Sequence, residues 1–484
     1  MDSTVRPRLS LLTDEAMDFV HDRSLHILTE TGVRVHSRRA LDVLRPSEGV
    51  HVEEEPEAGA GRARFETGLV EWALDAAPSA VDVFRRTGEP AFRLGADRTR
   101  FGIGVTNLHY QDPRTDELSP FGREHMATAT RLGHTLPRFD VVSTLGILRD
   151  LPDETADLVG TLEMAANTTK PLVILVSADE CFEPALDLLE HLRPGLADAP
   201  FALPYLNPVT PLVLNESTGD RLVATVEREI PVIYSNFSMA GMSTPVSAPG
   251  TLVLLNAELL AGLVVAQLVR TGAPVVLGSL PAYFDMRTLQ DFYGPRSMLL
   301  NVACAEMMRR YGLPHVGASG SGGGWGPDLR AAGQLWANHL SSLLGRAGLV
   351  PFVGGNLSSK AFSPALAVYS DDVIGQALWM AEGFGLSDEE ADLKTILDRG
   401  PGASFLDSEL TLASFRDAYY DSELTPRPSL EEWEARGRPR FENLLRDRTV
   451  QLLEDAGPPE DHDEVLARGE AFMGGGGRGP MLPP

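Results

Sequence analysis

The sequence predicts an α/β fold, a (β/α)8 TIM barrel with an N-terminal α+β cap and a C-terminal helical extension. Eight short β-rich runs follow one another between residues 101 and 354, with helical patterns between them. Strands that alternate with crossover helices form parallel sheets, and eight such units in about 250 residues fit a closed barrel. An open doubly wound sheet is the competing arrangement.

The cap opens with a helical pattern over residues 13–31. Thr13 can cap this helix and Gly32 can end it, and mixed helical and strand-like pieces follow. The tail, MGGGGRGPMLPP, has little to bury and is expected to be disordered. The predicted segments are the cap (1–98), the barrel (99–371), the helical extension (372–472) and the tail (473–484).

The barrel prediction rests on strands and helices that alternate along the chain. The predicted strands are 101–105, 140–146, 171–177, 201–207, 231–237, 275–280, 314–319 and 349–354. The helical patterns between and after them include 122–134, 155–167, 180–192, 251–271, 297–311 and 328–345. For the extension we expect helices at 372–383, 388–396, 408–419, 430–455 and 463–471.

Charge and composition exclude several classes of partner. The formal net charge is -26, which argues against binding to nucleic acid or to anionic membranes, because both require a basic surface. The most apolar stretch, 252–269, carries Asn256, Glu258 and Gln267 and is typical of a buried helix. The first residues lack the pattern of a signal peptide. We therefore expect a soluble, cytoplasmic protein without a membrane partner.

The two cysteines, Cys181 and Cys304, lie in helical patterns and are expected to be buried apolar residues. No CxxC pair occurs, so a metal centre built from cysteines is excluded. His109 stands without a second histidine nearby, and His315 and His339 fall in a strand and a helix, where we expect structural roles. No metal site is therefore predicted.

The candidate functional residues follow the predicted strands, because active sites of such barrels lie at the carboxyl ends of the strands. They are Asn107, His109, Tyr110, Ser177, Tyr205, Asn207, Thr210, Tyr234, Asn236, Phe237, Ser279, Tyr283, Asp285, Ser319 through Trp325, Asn356 and Lys360.

The segment GASGSGGGWGPDL, residues 317–329, holds six glycines and opens the helix after the seventh strand. Three interpretations stay open: a phosphate cradle at a helix N-terminus, a flexible connection, or a backbone kept small so that a bulky partner can approach. The segment matches neither GxGxxG nor GxxxxGK[ST].

Aromatic residues are abundant among these candidates, and aromatic faces hold quaternary ammonium groups through cation–π attraction. Trp325 is the strongest candidate, since its glycine neighbours offer it little local packing. Lysine chemistry has one candidate at the correct end of the barrel, Lys360, which would suit a lyase or aldolase.

Several stretches together resemble the trimethylamine methyltransferase family, including its glycine betaine relatives. They are LLTDEAMDFVHDRSLHILTETGVRVHSRRALDVL (11–44), PYLNPVTPL (204–212), GMSTPVSAPGTLVLLNAELLAGLVVAQLVRTGAPVVLGSLPAYFDMRT (241–288), YGLPHVGASG (311–320) and GPGASFL (400–406). The resemblance runs over nearly the whole chain. It implies a TIM barrel that moves a methyl group from a methylated amine to the Co(I) centre of a separate corrinoid protein.

The resemblance also indicates the substrate class. Founding members carry pyrrolysine and act on trimethylamine, whereas relatives without it are associated with quaternary amines such as glycine betaine. This chain has no such residue. It departs from many relatives at Gly323, Trp325 and Arg330, where they have Asp, Lys and Gln, and at FLDSELT (405–411), where they usually hold histidines.

The resemblance and the strand-end positions together assign provisional roles. Trp325, Tyr205, Tyr234 and Phe237 would cage the ammonium group, and Asn207 and Asn236 would orient the polar end of the substrate. Tyr283 and His109 complete the substrate-binding candidates, and no catalytic residue is assigned. Gly320, Gly322, Gly323 and Gly324 would admit the corrinoid (cobalamin), which a cognate corrinoid protein carries and this chain does not bind tightly.

A homo-oligomer is compatible with the sequence. The alternatives are a non-catalytic binder of betaine-like ligands and the Lys360 lyase or aldolase.

Overall fold

The computed structural model describes residues 3–55, 59–95, 98–318, 320–422 and 424–475. Ser319 and residues 476–484 of the predicted tail lie outside the described residues. Eight parallel strands form a closed ring, with helices around it, so the predicted TIM barrel is confirmed.

The N-terminal elements form a cap of small sheets and three helices. Thr13 accepts a hydrogen bond from the Ala16 N–H at 3.2 Å and caps the first helix, as the sequence predicts. In chain order the elements are β1 (Ser3–Val5), α1 (Asp14–Glu30), β2 (Val33–Val35), α2 (Arg38–Leu44), β3 (Val50–Glu54), β4 (Gly61–Phe65), α3 (Thr67–Ala76), β5 (Val81–Phe84) and β6 (Pro90–Leu94).

The barrel and its loops follow. The elements are β7 (Arg100–Ile103), β8 (His109–Gln111), β9 (Leu118–Pro120), α4 (Arg123–Thr135), β10 (Val141–Ser143), α5 (Asp153–Asn167), β11 (Leu172–Ile174), α6 (Asp179–Leu192), β12 (Ala202–Leu206), β13 (Val213–Leu214), α7 (Glu216–Glu227), β14 (Val232–Ala240), α8 (Ala248–Val269), β15 (Val275–Asp285), β16 (Gln290–Phe292), α9 (Pro295–Arg310), β17 (His315–Val316), α10 (Leu329–Leu344), β18 (Leu349–Val353), β19 (Gly355–Asn356), β20 (Ala361–Phe362) and α11 (Pro364–Glu382).

The ring runs β7, β10, β11, β12, β14, β15, β17, β18 and returns to β7. Closure is made by parallel pairing of β18 with β7, where Leu349 lies opposite Arg100 and Val350 opposite Phe101. All eight predicted strands are therefore barrel strands. The competing open sheet is wrong.

Side chains alternate between the barrel interior and the layer between strands and helices. Seven of the eight strands contribute at least one buried apolar residue to the interior, and these include Val141, Val173, Leu203, Ile233, Val276, Val316 and Leu349. The eighth, β7, contributes Gly102, where a Cβ atom would lie 2.5 Å from Val141 Cγ2. The interior is thus filled by side chains and the ring encloses a packed core.

The C-terminal elements are β21 (Phe384–Leu386), α12 (Asp388–Ala391), α13 (Leu393–Arg399), α14 (Glu409–Ser414), α15 (Leu430–Ala435), α16 (Phe441–Asp455) and α17 (His462–Gly475). The buried Arg86 guanidinium donates two hydrogen bonds of 2.7 Å to the Asp461 carboxylate and ties the start of α17 to the body. Gly469 of α17 lies against Leu162 of α5, where a Cβ atom would come within 2.2 Å.

Several boundaries differ from those that the sequence predicts. Helix α8 begins at Ala248 and not after Thr251, because Pro249 suits the first turn of a helix. Helix α11 crosses the predicted boundary at 371/372, and the predicted helix over 430–455 divides into α15 and α16. Helix α17 continues to Gly475, past the predicted start of the tail.

Helix α8 has the length and hydropathy to cross a membrane, but 83% of its most apolar window is buried inside the protein. This is the pattern of a core helix, as its sequence predicts. Both cysteines are free and buried, as predicted.

Candidate functional site

The mouth of the barrel lies at the carboxyl ends of its strands and is partly covered by a small sheet. That sheet pairs β19, β20, β8 and β9, which belong to the loops after β18 and β7. The glycine-rich segment crosses the same end: Gly322 N–H donates to Gly355 O at 2.9 Å, and Ser358 N–H donates to Gly322 O at 3.3 Å. The segment therefore lies at the mouth, as its position after the seventh strand predicts.

Two aromatic rings meet across the barrel axis and form the floor of this mouth. Tyr205 projects inward from β12 and Phe352 from β18, and these strands lie on opposite sides of the ring. Their ring centroids are 4.9 Å apart, with an interplanar angle of 71°. This edge-to-face contact is a favoured aromatic geometry, and it fixes the orientation of the Tyr205 ring.

Two hydroxyl groups on neighbouring strands, those of Tyr205 and Ser235, are buried at this floor and have no hydrogen-bond partner within the described part of the chain. Burial raises the pKa of Tyr205. The Ser235 and Asn207 side chains lie close enough to its hydroxyl to act in the opposite direction, but neither reaches hydrogen-bond geometry. The Asn207 amide donates to Ser235 O at 2.7 Å and holds β12 and β14 in register. Buried polar groups normally have partners, so these hydroxyls mark a place where a polar ligand can bind.

Tyr293 approaches the floor from the loop between β16 and α9. Burial raises the pKa of Tyr293, and Asp291 and Tyr205 raise it further. The Gln334 amide donates to Tyr293 O at 2.9 Å and accepts from Gly323 N–H, also at 2.9 Å. Gln334 thus links the Tyr293 loop to the glycine-rich segment.

The expectation that Tyr234 and Asn236 face the mouth is wrong. Both lie on the outer face of β14, since Ile233 of the same strand points inward. The Tyr234 ring occupies the space beside Gly262 of α8. The Asn236 amide donates to Leu255 O and to Glu258, both at 2.9 Å. These side chains join the strand to α8 and take no part in a substrate cage.

Tyr283 also lies outside the predicted cage, on the outer face of β15. Its ring contacts Phe292 of β16 with centroids 6.1 Å apart. Phe237 of β14 has the same phase as Ile233 and is half-buried, so it remains on the mouth side. His109 is half-buried in the small covering sheet, where its N–H donates to Lys360 O at 3.1 Å.

Trp325 lies at the rim of the mouth with 75% of its surface exposed. Only its backbone is held: its N–H donates to the Asp328 carboxylate at 2.9 Å, and its carbonyl accepts from the Gln111 amide at 2.7 Å. Asp328 is also the N-cap of α10. The indole ring therefore does not lie on the Tyr205–Phe352 floor, and no cage of Trp325 with Tyr234 is formed.

Close packing against neighbouring side chains explains why glycine occupies several positions of the segment. Gly320 has φ 71°, and a Cβ atom there would lie 2.3 Å from Asn338 Nδ2. A Cβ atom at Gly323 would lie 2.5 Å from Gln334, one at Gly324 2.4 Å from Asp328, and one at Gly322 3.0 Å from Leu366. The segment is thus a tightly packed turn and not a loose connection.

The lysine chemistry that the sequence left open lacks support in the geometry. Lys360 is exposed and donates to Gln290 Oε1 at 2.9 Å. Burial lowers the pKa of Lys170 to about 8, but this lysine donates to Gly133 O and Leu136 O at the opposite end of the barrel. In the part of the chain that the structure describes, no group of three or more His, Cys, Asp or Glu side chains could hold a metal ion.

The structural histidines are as predicted. Burial lowers the pKa of His315 to about 4 and that of His339 to about 3, so both rings are neutral at pH 7. His315 in β17 lies 2.9 Å from Arg346 O.

Residues 3–473 match the family described as "Trimethylamine methyltransferase (MTTB)". The chain belongs to this family. The trimethylamine methyltransferase family is a family of methyltransferases, so the chain is an enzyme of this class.

Relatives named as methyltransferases match this chain over nearly its whole length. The glycine betaine methyltransferase of Desulfitobacterium hafniense (strain Y51) is 26% identical over 96% of this chain and 97% of its own length. The trimethylamine methyltransferase MttB of Methanosarcina thermophila is 26% identical over 92% of this chain and 93% of its own. The structure of the Methanosarcina barkeri monomethylamine methyltransferase (MtmB) aligns with a TM-score of 0.52 and 10% identity over 93% and 89% of the two chains, which supports the fold.

The sequence analysis of this trimethylamine methyltransferase family member did not identify four residues at the mouth: Phe352, Tyr293, Ser235 and Gln334. Phe352 lies in a run whose alternation is broken by a bulge between Val350 and Val353, so its inward direction could not be assigned. Ser235 could have been found by continuing the alternation from Tyr205 onto the next strand. Tyr293 is in a loop, where no periodic signal exists.

Proposed function

We propose that this enzyme transfers a methyl group from a betaine-like quaternary or tertiary methylamine to the Co(I) corrinoid of a partner protein. One observation carries the proposal: an aromatic floor at the barrel mouth holds two buried hydroxyls without partners, those of Tyr205 and Ser235. A full-length relative is named a glycine betaine methyltransferase, and we carry its substrate class to this chain.

A betaine has two ends, and the floor offers a group for each. The aromatic surfaces of Tyr205, Phe352 and Phe237 would contact the methylated cation, since ring faces attract such groups. The Tyr205 and Ser235 hydroxyls would donate to the carboxylate, which would satisfy both buried donors. Asn207 already donates to Ser235 O and would fix the position of Ser235.

Two further polar atoms lie in the loops after β7 and β18, the two strands whose pairing closes the barrel. The Oδ1 atoms of Asn107 and Asn356 are buried and have no partner in the ranges that the structure describes, and the Asn356 amide donates to Gln111 Oε1 at 3.0 Å. Carbonyl oxygens stabilise positive charge, so these atoms suit the polarised methyl groups of an ammonium ion. The loops after β7 and β18 would thereby help to orient the methyl that leaves.

The reduced cobalt would supply the electron pair for the new bond to the methyl carbon, while the pair of the broken N–C bond stays on nitrogen. A quaternary donor leaves as a neutral tertiary amine and needs no proton. The task of the protein is then to align the methyl group and exclude water. This agrees with a site built from rings and hydroxyls.

The rim of the mouth has features that suit a docked corrinoid protein. The apolar side chains of Met242, Val246, Met286 and Leu289 follow the ends of β14 and β15 and are exposed, as Trp325 is. Exposed apolar groups on an acidic chain are typical of an interaction surface. We therefore assign Trp325 to partner contact in place of the ammonium cage.

The test is a methyl-transfer assay with purified protein and chemically reduced cob(I)alamin. Glycine betaine, choline, carnitine and trimethylamine are offered separately, and methylcobalamin is followed by its absorption. We expect turnover with at least one carboxylated quaternary amine. Absence of methyl transfer from every amine, with free cobalamin and with a corrinoid protein encoded beside this enzyme, would overturn the proposal. Thermal stabilisation by betaine without turnover would instead favour a non-catalytic binder.

A further inference from the structure

A polar cavity lies at the end of the barrel opposite the mouth. It has a volume of about 400 Å³. We call it the arginine basin, and its polar lining consists of Arg6, Arg8, Arg98, Thr99, Arg346 and Glu382. Thr99 directly precedes β7, and Arg346 lies in the turn between α10 and β18. Both positions are at the amino ends of barrel strands, so the basin is separate from the proposed methyl-transfer site.

The N-terminal strand brings two of the arginines to the basin. β1 pairs with β21, with Val5 opposite Phe384, and the Leu9 N–H donates to Leu344 O at 3.1 Å. The backbone approaches Gly383 so closely that a Cβ atom there would meet Val5 O. The segment carrying Arg6 and Arg8 is thus held against the ends of α10 and α11 by backbone contacts, without help from its charges.

The charge of the basin is opposite to that of the protein. Four guanidinium groups line it beside one carboxylate, that of Glu382, whereas the whole chain has a net charge of -26. Across the described ranges, none of these four arginines forms an ion pair with a carboxylate. Gathering like charges without partners costs free energy, and a bound anion would recover it.

A neutral donor in the lining also lacks a partner. Thr99 is 4% exposed, and its Oγ1 is buried with no hydrogen-bond partner among the described residues. A buried hydroxyl of this kind is uncommon in folded proteins. Hydroxyl and guanidinium donors together are the groups that bind phosphate oxygens, and the arginine fork suits them in particular. Two independent observations, charge and an orphaned donor, therefore indicate an oxyanion.

We propose that the arginine basin binds a small molecule with two or more linked phosphate groups. Four guanidinium groups match a ligand with several negative charges better than a ligand with a single negative charge. Leu343, Leu344 and Leu378 also line the cavity and would contact an apolar or ring portion attached to the phosphates. A nucleic-acid polymer is disfavoured by repulsion from the surrounding acidic surface. This site goes beyond the methyl-transfer proposal and does not depend on it.

Isothermal titration calorimetry of the full-length protein tests the proposal. Inorganic diphosphate and ADP are titrated separately at 25 and at 200 mM NaCl. We expect binding of diphosphate that weakens with salt, because the interaction is between charges. Tighter binding of ADP than of diphosphate would show that the leucine side chains of the cavity contact the nucleoside. Equal binding would show that the protein recognises the phosphates alone.

Matched variants locate the binding. Replacing Arg98 and Arg346 by Gln (Arg98→Gln with Arg346→Gln) is expected to weaken diphosphate at least tenfold. Arg287→Gln removes a charge at the opposite end of the barrel, where the side chain is 95% exposed, and is expected to change nothing. The corresponding Lys variants should retain most of the affinity, because the charge remains. Absence of binding to the wild-type protein, or equal affinity in the double Gln variant, would overturn the proposal.

Folding is checked separately from binding. If the double variant does not fold, Arg98→Gln alone serves, since Arg98 is exposed and makes no ion pair among the described residues. We expect it to weaken diphosphate binding at least threefold with an unchanged melting temperature. An unchanged affinity in this variant would also count against the proposal.

Discussion

At the scale of single residues, the Tyr205 and Tyr234 hydroxyls make a matched pair. Tyr205 is in the mouth with an unpartnered hydroxyl, and Tyr234 is equally buried on the outer face of the barrel. We expect Tyr205→Phe to lower kcat/KM for the amine about 3- to 10-fold, the equivalent of one neutral hydrogen bond. Its stability should be unchanged or higher, because the buried hydroxyl lacks a partner in the free protein.

Tyr234→Phe is the control for this experiment and should leave kcat/KM unchanged. Both variants are compared by steady-state methyl transfer and by urea unfolding. A loss of activity in Tyr234→Phe as large as that in Tyr205→Phe would contradict the assignment of the two faces of β12 and β14.

Glu258 is a second residue with a measurable signature. It accepts from Leu212 N–H, Thr210 Oγ1 and the Asn236 amide, and so holds the loop after β12 against α8. Burial outweighs these hydrogen bonds and raises the pKa of Glu258 from 4.5 to about 7. The folded protein therefore keeps a proton between pH 4.5 and 7 that the unfolded chain releases.

This carboxyl stabilises the fold fully below about pH 4.5 and loses that contribution as the pH rises to about 7. A one-unit difference in pKa corresponds to about 1.4 kcal/mol. The free energy of unfolding of the wild type minus that of Glu258→Gln should therefore fall by a few kcal/mol between these pH values. Urea titrations at a series of pH values measure it. A difference that is constant or rises with pH would show that Glu258 is ionised at all of them.

At the scale of elements, the glycine segment and the helix after it respond oppositely to alanine. Gly320 has φ 71° and lies against Asn338, whereas Gly333 is in the exposed interior of α10 with no atom within 4 Å of an added Cβ. We expect Gly333→Ala to stabilise the protein by about 0.5–1 kcal/mol. Gly320→Ala should destabilise it by at least ~1 kcal/mol. Denaturant unfolding measures both, and stabilisation by Gly320→Ala would contradict the packed turn.

The sequence predicts the elements of the barrel well because their signals are long and periodic. All eight strands and the flanking helices can be read from apolar runs and caps, as Thr13 illustrates. The covering sheet could not be predicted, since β19 and β20 have two residues each and are held by tertiary contacts.

The direction of individual side chains is harder to predict than the strands themselves. Parallel strands are apolar on both faces, so alternation gives a period of two without saying which residues point inward. Tyr234 and Asn236 were assigned to the wrong face of β14 for this reason, whereas Tyr205 has the predicted inward direction. The candidate site was therefore predicted at the correct end of the barrel with only part of its residues.

At the scale of the whole molecule, charge is the dominant feature. The net charge of -26 leaves an excess of carboxylates whose mutual repulsion disfavours the compact state. Exposed ion pairs between Arg and Asp or Glu oppose this repulsion, but each contributes less than about 1 kcal/mol. Salt screens both effects, and with this much excess charge we expect the relief of repulsion to outweigh the loss of ion pairs.

The melting temperature should therefore rise when NaCl increases from about 10 mM to 0.5 M, a range in which the screening length falls several-fold. A gain of ~1 kcal/mol would correspond to a rise of roughly 1 °C in a protein of this size. Scanning calorimetry at pH 7 measures the rise, with sucrose as a control for non-ionic stabilisation. Sodium diphosphate at matched ionic strength should raise the melting temperature further in the wild type than in the double variant Arg98→Gln and Arg346→Gln, because only the wild type adds specific binding to screening. A melting temperature that falls with NaCl would mean that the ion pairs, and not the excess of carboxylates, dominate the electrostatics of this fold.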